Sequence, residues 1–227
     1  MRMMAQPTRD LAVVGDIHGD ADRLARALDA LLSDPSLHIV FTGDYVNRGP
    51  DSRRVLNLLM AARDEHPERL TLLRGNHENA LLAYLDGGGL PEFAAHGGLA
   101  TVRSYLGVVR SGALEEFRDT FPAAHRLLLE GMCASYENDG VLVSHVGFDP
   151  ADPWARAPEV FYGRGYPRLF QHGGPWPRPL TVCGHYVQSE GQPYDSPHLV
   201  CLDTGCGTLP GAPLTILTLP ARTFRQF

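Results

Sequence analysis

Three short loops carry residue types that hold metal ions and phosphate: Gly15-Asp16-Ile17-His18-Gly19, Gly43-Asp44-Tyr45-Val46-Asn47-Arg48-Gly49 and Gly75-Asn76-His77-Glu78. Asp16 and His18 sit two apart on a turn, so both can reach one ion. Asp44, on the neighbouring loop, offers a carboxylate able to bridge two ions, and Asn76, His145 and His185 can complete the second. Two divalent ions about 3.5–4 Å apart clamp a phosphoryl group, and they need such oxygens, imidazoles and one bridging carboxylate. Nitrogen and oxygen donors without thiolate suit manganese first, with iron or zinc as alternatives. A hydroxide shared by two cations forms near neutral pH and serves as the nucleophile, so no serine, cysteine or lysine nucleophile is required. His77 stands beside Asn76 but points elsewhere in a tight turn, and is the natural acid for the leaving oxygen. Arg48 offers a planar fork to phosphate oxygens, and Arg164, between Gly163 and Gly165, is a second candidate clamp. Arg74 borders the third loop and reads at least equally well as a salt-bridge residue.

These side chains need elements that carry them to one place. Apolar runs at Val13-Val14, His38-Ile39-Val40-Phe41 and Leu70-Thr71-Leu72-Leu73 lead directly into the three loops and read as buried strands. Helical patterns follow. Leu24, Ala27, Leu28, Leu31 and Leu32 share one face behind the capping Asp20, and Val55, Leu58, Leu59 and Ala62 repeat behind Pro50-Asp51-Ser52. Right-handed crossovers then bring the three loops to the carboxyl edge of a parallel sheet, where ligands bind in α/β folds. His145 closes the run Val141-Leu142-Val143-Ser144, and His185 closes Leu180-Thr181-Val182-Cys183-Gly184. Asn138-Asp139-Gly140 reads as a hairpin turn. A third helix runs to residue 85 and Gly87-Gly88-Gly89 breaks it. Residues 86–130 read as a small helical insert or cap within a single domain, 1–227. Residues 147–179 form a long loop of the kind that carries function. Strands over 198–203 and 214–219 are expected to be antiparallel and to belong to a second sheet.

Composition excludes several classes. Net charge is −6 with no basic block, so no duplex nucleic acid partner is indicated. All 20 basic residues are arginine, which rules out lysine Schiff-base chemistry and the lysine-dependent P-loop. No apolar run approaches membrane-spanning length and residues 1–10 lack a leader's apolar core, so the expected setting is cytoplasmic, without a membrane partner. Cys133, Cys183, Cys201 and Cys206 lack paired spacing and read as structural thiols rather than a zinc site. His38, His66, His125, His172 and His198 read as ordinary strand or turn residues. His96 reads as a helix stop with an exposed ring, the Met3-Met4 pair as tail, and Trp154 and Trp176 as loop packing.

The motifs resemble those of the calcineurin-like metallophosphoesterase superfamily, specifically the phosphoprotein phosphatase branch. Its GDxHG, GDxVDRG, GNHE, strand-ending His and GH motifs are matched in order from Gly15 to His185, and the resemblance runs from about Leu11 to Leu219. It implies an α+β sandwich of two mixed sheets flanked by helices, a dinuclear centre and phosphoester hydrolysis. Carried over by position, Asp16, His18 and Asp44 hold one ion, and Asp44, Asn76, His145 and His185 the other. His77 is the acid, while Arg48 and Arg164 hold phosphate. The size, Gly97-Gly98-x-Ala-Thr and Leu202-Asp203-Thr204-Gly205 are similar to prokaryotic and phage members. These include serine/threonine protein phosphatases and symmetrical dinucleoside tetraphosphate hydrolases, so the substrate is a phosphorylated protein or another phosphoester. A non-catalytic scaffold is a third reading, disfavoured because every expected ligand is present. Two positions depart from the pattern. The Asp that partners the acid histidine is Asn47, whose carbonyl is expected to accept the ring N–H, and the threonine after the last Gly-His is Tyr186.

Overall fold

The computed structural model describes residues 10–227. The tail read at Met3-Met4, like most of the stretch read as lacking a leader's core, lies outside the described residues. Strands β1 (Asp10–Val14), β2 (Leu37–Phe41) and β3 (Leu70–Leu72) pair in parallel, with Ala12 opposite Ile39 and Ile39 opposite Leu70. Helices α1 (Ala21–Leu32) and α2 (Ser52–Glu65) make the crossovers. Both start where a carboxylate satisfies a free N–H: Asp20 accepts from Arg23 N at 3.0 Å and Asp51 from Arg54 N at 3.1 Å. Strand alternation sends Leu11, Val13 and Val40 to one face and Ala12, Val14, Ile39 and Phe41 to the other. The second set packs under the helices. The first set meets Val141, Val143, Val182 and Val200 of a second sheet. Both faces are covered, which is why the strands read as unbroken apolar runs.

The second sheet has the order β4-β5-β6-β8-β7, from β4 (Ser135–Glu137), β5 (Val141–Ser144), β6 (Leu180–Cys183), β7 (Tyr194–Asp195) and β8 (Leu199–Cys201). Asn138 makes the predicted hairpin, its Oδ1 accepting from Gly140 N at 2.9 Å and Val141 N at 3.0 Å. The two final strands divide between the sheets, contrary to expectation. β8 lies in the second sheet as expected, antiparallel to β7 but parallel to β6, whereas β9 (Thr215–Leu219) is antiparallel and joins β1 in the first sheet. β2 already occupies one edge of β1, and the chain returning from β8 reaches the other. Apolar alternation fixes which face of a strand is buried but says nothing of which edge it joins. β10 (Thr223–Gln226) extends that sheet to the order β10-β9-β1-β2-β3; neither it nor β7 has a sequence signature.

Four helices fill the 86–130 region after α3 (Asn76–Leu85): α4 (Leu90–Ala95), α5 (Gly98–Leu106), α6 (Ala113–Thr120) and α7 (Ala123–Glu130). Tyr84, Phe93 and Phe117 stack nearly parallel among them, with centroids 4.8 and 6.3 Å apart along the series. Their core is continuous with the one under α1 and α2. The 147–179 segment is mostly irregular, with one short helix, α8 (Glu159–Tyr162), and a 3-10 turn over Pro167–Gln171. It is pinned to the outer face of the second sheet by Phe148, Phe161 and Leu169. Among the described residues no helix is long and apolar enough to cross a membrane, and the four cysteines are free.

Candidate metal centre

The strand-to-loop exits of both sheets converge. His18, Asp44, Asn47, Arg48 and His185 all have φ between 44 and 71°, in the left-handed region; among described non-glycine residues only Arg222 joins them. Such backbone costs free energy unless surroundings enforce it, and its clustering marks a functional site. Glu78 supplies much of the enforcement. Its carboxylate accepts N–H bonds from Asp44 (2.8 Å), Tyr45 (2.8 Å), Val46 (3.2 Å) and Gly75 (3.0 Å), tying the second loop to α3. Gly75 permits the approach: a Cβ there would stand 2.1 Å from Asp44 Oδ1.

Hydrogen bonds to carbonyls identify which ring nitrogens face inward. His18 Nδ1 faces Val46 O at 3.1 Å and His145 Nδ1 faces Thr42 O at 3.1 Å. A carbonyl only accepts, so both Nδ1 atoms carry a hydrogen and each ring directs its Nε2 inward. His145 Nε2 then stands 2.9 Å from Asn76 Oδ1, 3.2 Å from His185 Nδ1 and 3.3 Å from Asp44 Oδ2. His18 Nε2 lies 3.7 Å from Asp44 Oδ2, and Asn76 Oδ1 lies 3.0 Å from His185 Nδ1. Asp16 lies beside the set, accepting from His185 N at 3.0 Å and Thr42 Oγ1 at 3.2 Å. Two groups of three side chains have ligand atoms within 4.8 Å of one another: His18, Asp44 and His77, and Asp44, His145 and His185. Asp44 is common to both, and Asp16 enters neither. The donor set fits hard or borderline divalent ions, and no cysteine enters either group.

Burial and charge divide the rings: burial opposes it, but the Asp44 carboxylate pulls His145 above the ordinary imidazole value. Burial holds His18 down to about 4, against the pull of Asp44, and burial with the His145 charge holds His185 down to about 4. Both rings are therefore neutral near pH 7 and free to bind a metal. Asp44 stays well below the usual carboxylate range; burial works against this, and the His145 and His77 charges overcome it. Asp16 is pushed up by burial and by the Asp203 and Asp44 charges, a repulsion that a cation would relieve.

Residues 10–190 match the calcineurin-like phosphoesterase family profile. The chain belongs to that family. It is 42% identical over 69 residues to the Candida albicans serine/threonine-protein phosphatase PP2A-like PPG1, a match spanning 30% of this chain and only 17% of the relative. A structure described as a candidate diadenosine tetraphosphatase superposes with a TM-score of 0.68 at 22% identity, covering 99% of this chain and 95% of the other. A Saccharomyces cerevisiae serine/threonine phosphatase with similarity to human PP5 gives a TM-score of 0.58 at 17% identity, covering 98% and 80%. At these identities the structural likeness bears on the fold alone.

In this calcineurin-like phosphoesterase the six side chains read as metal ligands lie together, and His77 joins them. Its Nε2 is buried, lacks a hydrogen-bond partner and sits 3.7 Å from Asp44 Oδ2. Asn47 meets it in the opposite sense to that expected. Asn47 Oδ1 accepts from Thr101 Oγ1 at 2.7 Å, so the amide nitrogen faces His77 Nδ1 at 3.2 Å. The competing hydroxyl lies 54 residues away and is invisible to local reading. Arg48 lies at the exposed rim, its NH1 3.1 Å from His18 Nε2 and 3.2 Å from Thr208 Oγ1. Arg164 is exposed, and the neighbouring Gly165 abuts the site, since a Cβ there would meet His185 Nε2 at 2.6 Å. Arg74 turns away and donates to the Leu129 and Glu130 carbonyls, both at 3.0 Å, at the end of α7.

Sequence reasoning missed four participants. Glu78 could have been found, because an acid three residues after a helix-opening glycine is a capping position. His96 does end α4, as read, but its ring packs edge-on against His77 with centroids 4.7 Å apart. Thr101 holds Asn47. Asp203 is buried with Oδ1 accepting from Gly205 N at 3.0 Å and Oδ2 unpartnered; burial pushes it up to about 6, with the Gly205 bond opposing and the Asp44 charge adding.

Proposed function

We propose that this chain is a metal-dependent phosphoester hydrolase of the serine/threonine protein phosphatase type, folded as one unit with 86–130 as its cap. The observation that carries the reading is the convergence of imidazole nitrogens from two groups of side chains on the shared carboxylate of Asp44, beside an exposed arginine. Asp16, His18 and Asp44 would hold one divalent ion, and Asp44, Asn76, His145 and His185 a second, with manganese the first choice. When bound, such ions polarise phosphoryl oxygens and acidify water, which supplies the nucleophile. The chain's own residues do the rest. The hydrogen bonds of His18 and His145 to Val46 O and Thr42 O aim their Nε2 atoms. Arg48 and Arg164 orient the phosphoryl group through their planar forks. Burial holds His77 down to about 2 against the pull of Asp44, and Asn47 Nδ2 donates to its Nδ1, so the neutral ring carries its hydrogen on Nε2 and offers it to the leaving oxygen.

The 42% identity to a PP2A-like phosphatase across 69 residues supports a phosphoprotein substrate. The 0.68 superposition on a candidate diadenosine tetraphosphatase, over nearly the full length of both chains, supports symmetrical dinucleoside tetraphosphate as the second reading. Manganese-loaded protein assayed side by side on phosphoserine and phosphothreonine peptides and on diadenosine tetraphosphate separates them. Higher kcat/KM on the peptides is expected. A preference for the dinucleotide by tenfold or more, on the order of 1.4 kcal/mol in transition-state stabilisation, would transfer the assignment to the second reading. Inactivity on all three despite two bound ions would leave the scaffold.

A further inference from the structure

Tyr186 stands where the resemblance leads one to expect threonine, and its surroundings give the larger side chain work that threonine cannot reach. Its hydroxyl donates to Val146 O at 3.0 Å and accepts from Tyr166 N. Val146 follows His145 directly, Tyr186 follows His185 directly, and Tyr166 lies two residues beyond Arg164. One hydroxyl therefore joins the exits of β5 and β6 to the irregular segment that carries Arg164. The ring completes the seat. It meets the His185 ring edge-on at 4.9 Å between centroids and the Phe170 ring at 5.0 Å. Gly165 is pressed into the angle between His185 and Tyr186; a Cβ there would lie 2.6 Å from His185 Nε2 and 3.0 Å from Tyr186 Cε1. The Tyr186 backbone is itself held, its N–H donating to Gly184 O at 2.7 Å and its carbonyl accepting from Gln188 Nε2 at 2.6 Å.

We infer that Tyr186 is a positioning residue that seats the Gly163-Arg164-Gly165 turn against His185, so that Arg164 is presented to the phosphoryl group without having to order its own loop. Glycine on both sides leaves Arg164 on a flexible backbone, and an unanchored turn would lose conformational freedom whenever phosphate is bound. The anchor belongs to binding rather than to the chemical step. The inference rests on the reading of Arg164 as a phosphate ligand.

Tyr186→Phe keeps both ring contacts and removes both hydrogen bonds. In the manganese-loaded variant we expect KM for a phosphopeptide and the inhibition constant for inorganic phosphate to rise about five- to tenfold. The same variant should change kcat by less than about twofold. Metal content should stay near wild type, and the Tyr166 amide should exchange with deuterium faster. In an Arg164→Ala background the same substitution should add little, because the two act through one contact. Phosphate inhibition that is unchanged in Arg164→Ala removes the clamp and the inference together. Inhibition weakened in Arg164→Ala but unchanged in Tyr186→Phe keeps the clamp and overturns the role of Tyr186. An effect of Tyr186→Phe that persists in full on the Arg164→Ala background also overturns it, as does lost metal in Tyr186→Phe.

Discussion

Asp44 carries more of the site than any other side chain, because one carboxylate oxygen faces the Nε2 atoms of His18, His77 and His145 at 3.7, 3.7 and 3.3 Å. Asp44→Asn keeps the shape and removes the charge. Turnover should fall by about a thousandfold or more, and bound metal below two ions per chain. Metal analysis finding two tightly held ions in that variant would sink the bridging assignment. His77 makes a different prediction, since acid catalysis matters only when the leaving oxygen is basic. His77→Asn should lose about a hundredfold on alkyl phosphates and far less on aryl phosphates whose phenolate leaves unaided. Equal losses on both esters would argue against the acid role. The neighbourhood of Asp16, His18, Asp44, Asn76, His145 and His185 could be read because they fall at or just past the ends of apolar runs. Asn47 was legible in position but not in orientation, since Thr101 decides that orientation from another helix.

At the scale of elements, the helices of 86–130 grip the second loop. His96 packs on His77, Gly97 O accepts from Arg48 N at 3.3 Å, and Thr101 Oγ1 accepts from Asn47 N at 2.9 Å. The sequence marked 86–130 as a helical insert; it could not announce this grip, which depends on contacts many residues apart. Gly97 is needed for its φ of 77° and Gly98 for a close approach, because a Cβ on Gly98 would meet the Phe93 ring at 2.5 Å. Phe93 is fully buried in the stacked aromatic series and has little room to move. Gly98→Ala should therefore destabilise the protein by about 1–3 kcal/mol through overpacking. Since α5 must shift outward to admit the methyl, His96, Gly97 and Thr101 should withdraw with it and activity should drop while metal content holds. Urea unfolding and metal analysis on one preparation check both parts. A variant as stable and active as wild type would mean that the helix relaxes without disturbing the loop.

Across the whole molecule, the ligand-capable side chains come from both layers: Asp16, His18, Asp44 and Asn76 from exits of the first sheet, His145 and His185 from exits of the second. The order of strands within those layers was the part the sequence left open, because β8 and β9 declare their burial and not their neighbours. Protein contacts already link the layers at this edge, with His145 Nδ1 donating to Thr42 O and His185 N to Asp16 Oδ2. The carboxylates of Asp16 and Asp44 oppose them, since each buried charge raises the cost of the other. A cation that binds here and not in the unfolded chain reverses that sign, stabilising by about 2.7 kcal/mol at a hundred times its dissociation constant. Chelation should consequently lower the thermal midpoint, and manganese should restore it in a concentration-dependent way. Amide exchange should localise the effect. Protection should fall on chelation at Gly15, Thr42, Gly184 and Leu202, whose N–H groups close the strand exits around the site. Leu37 and Leu180, at the far ends of their strands, should change little. A midpoint indifferent to chelator, or protection lost equally at both ends of the sheets, would mean that the ions do not join the two layers.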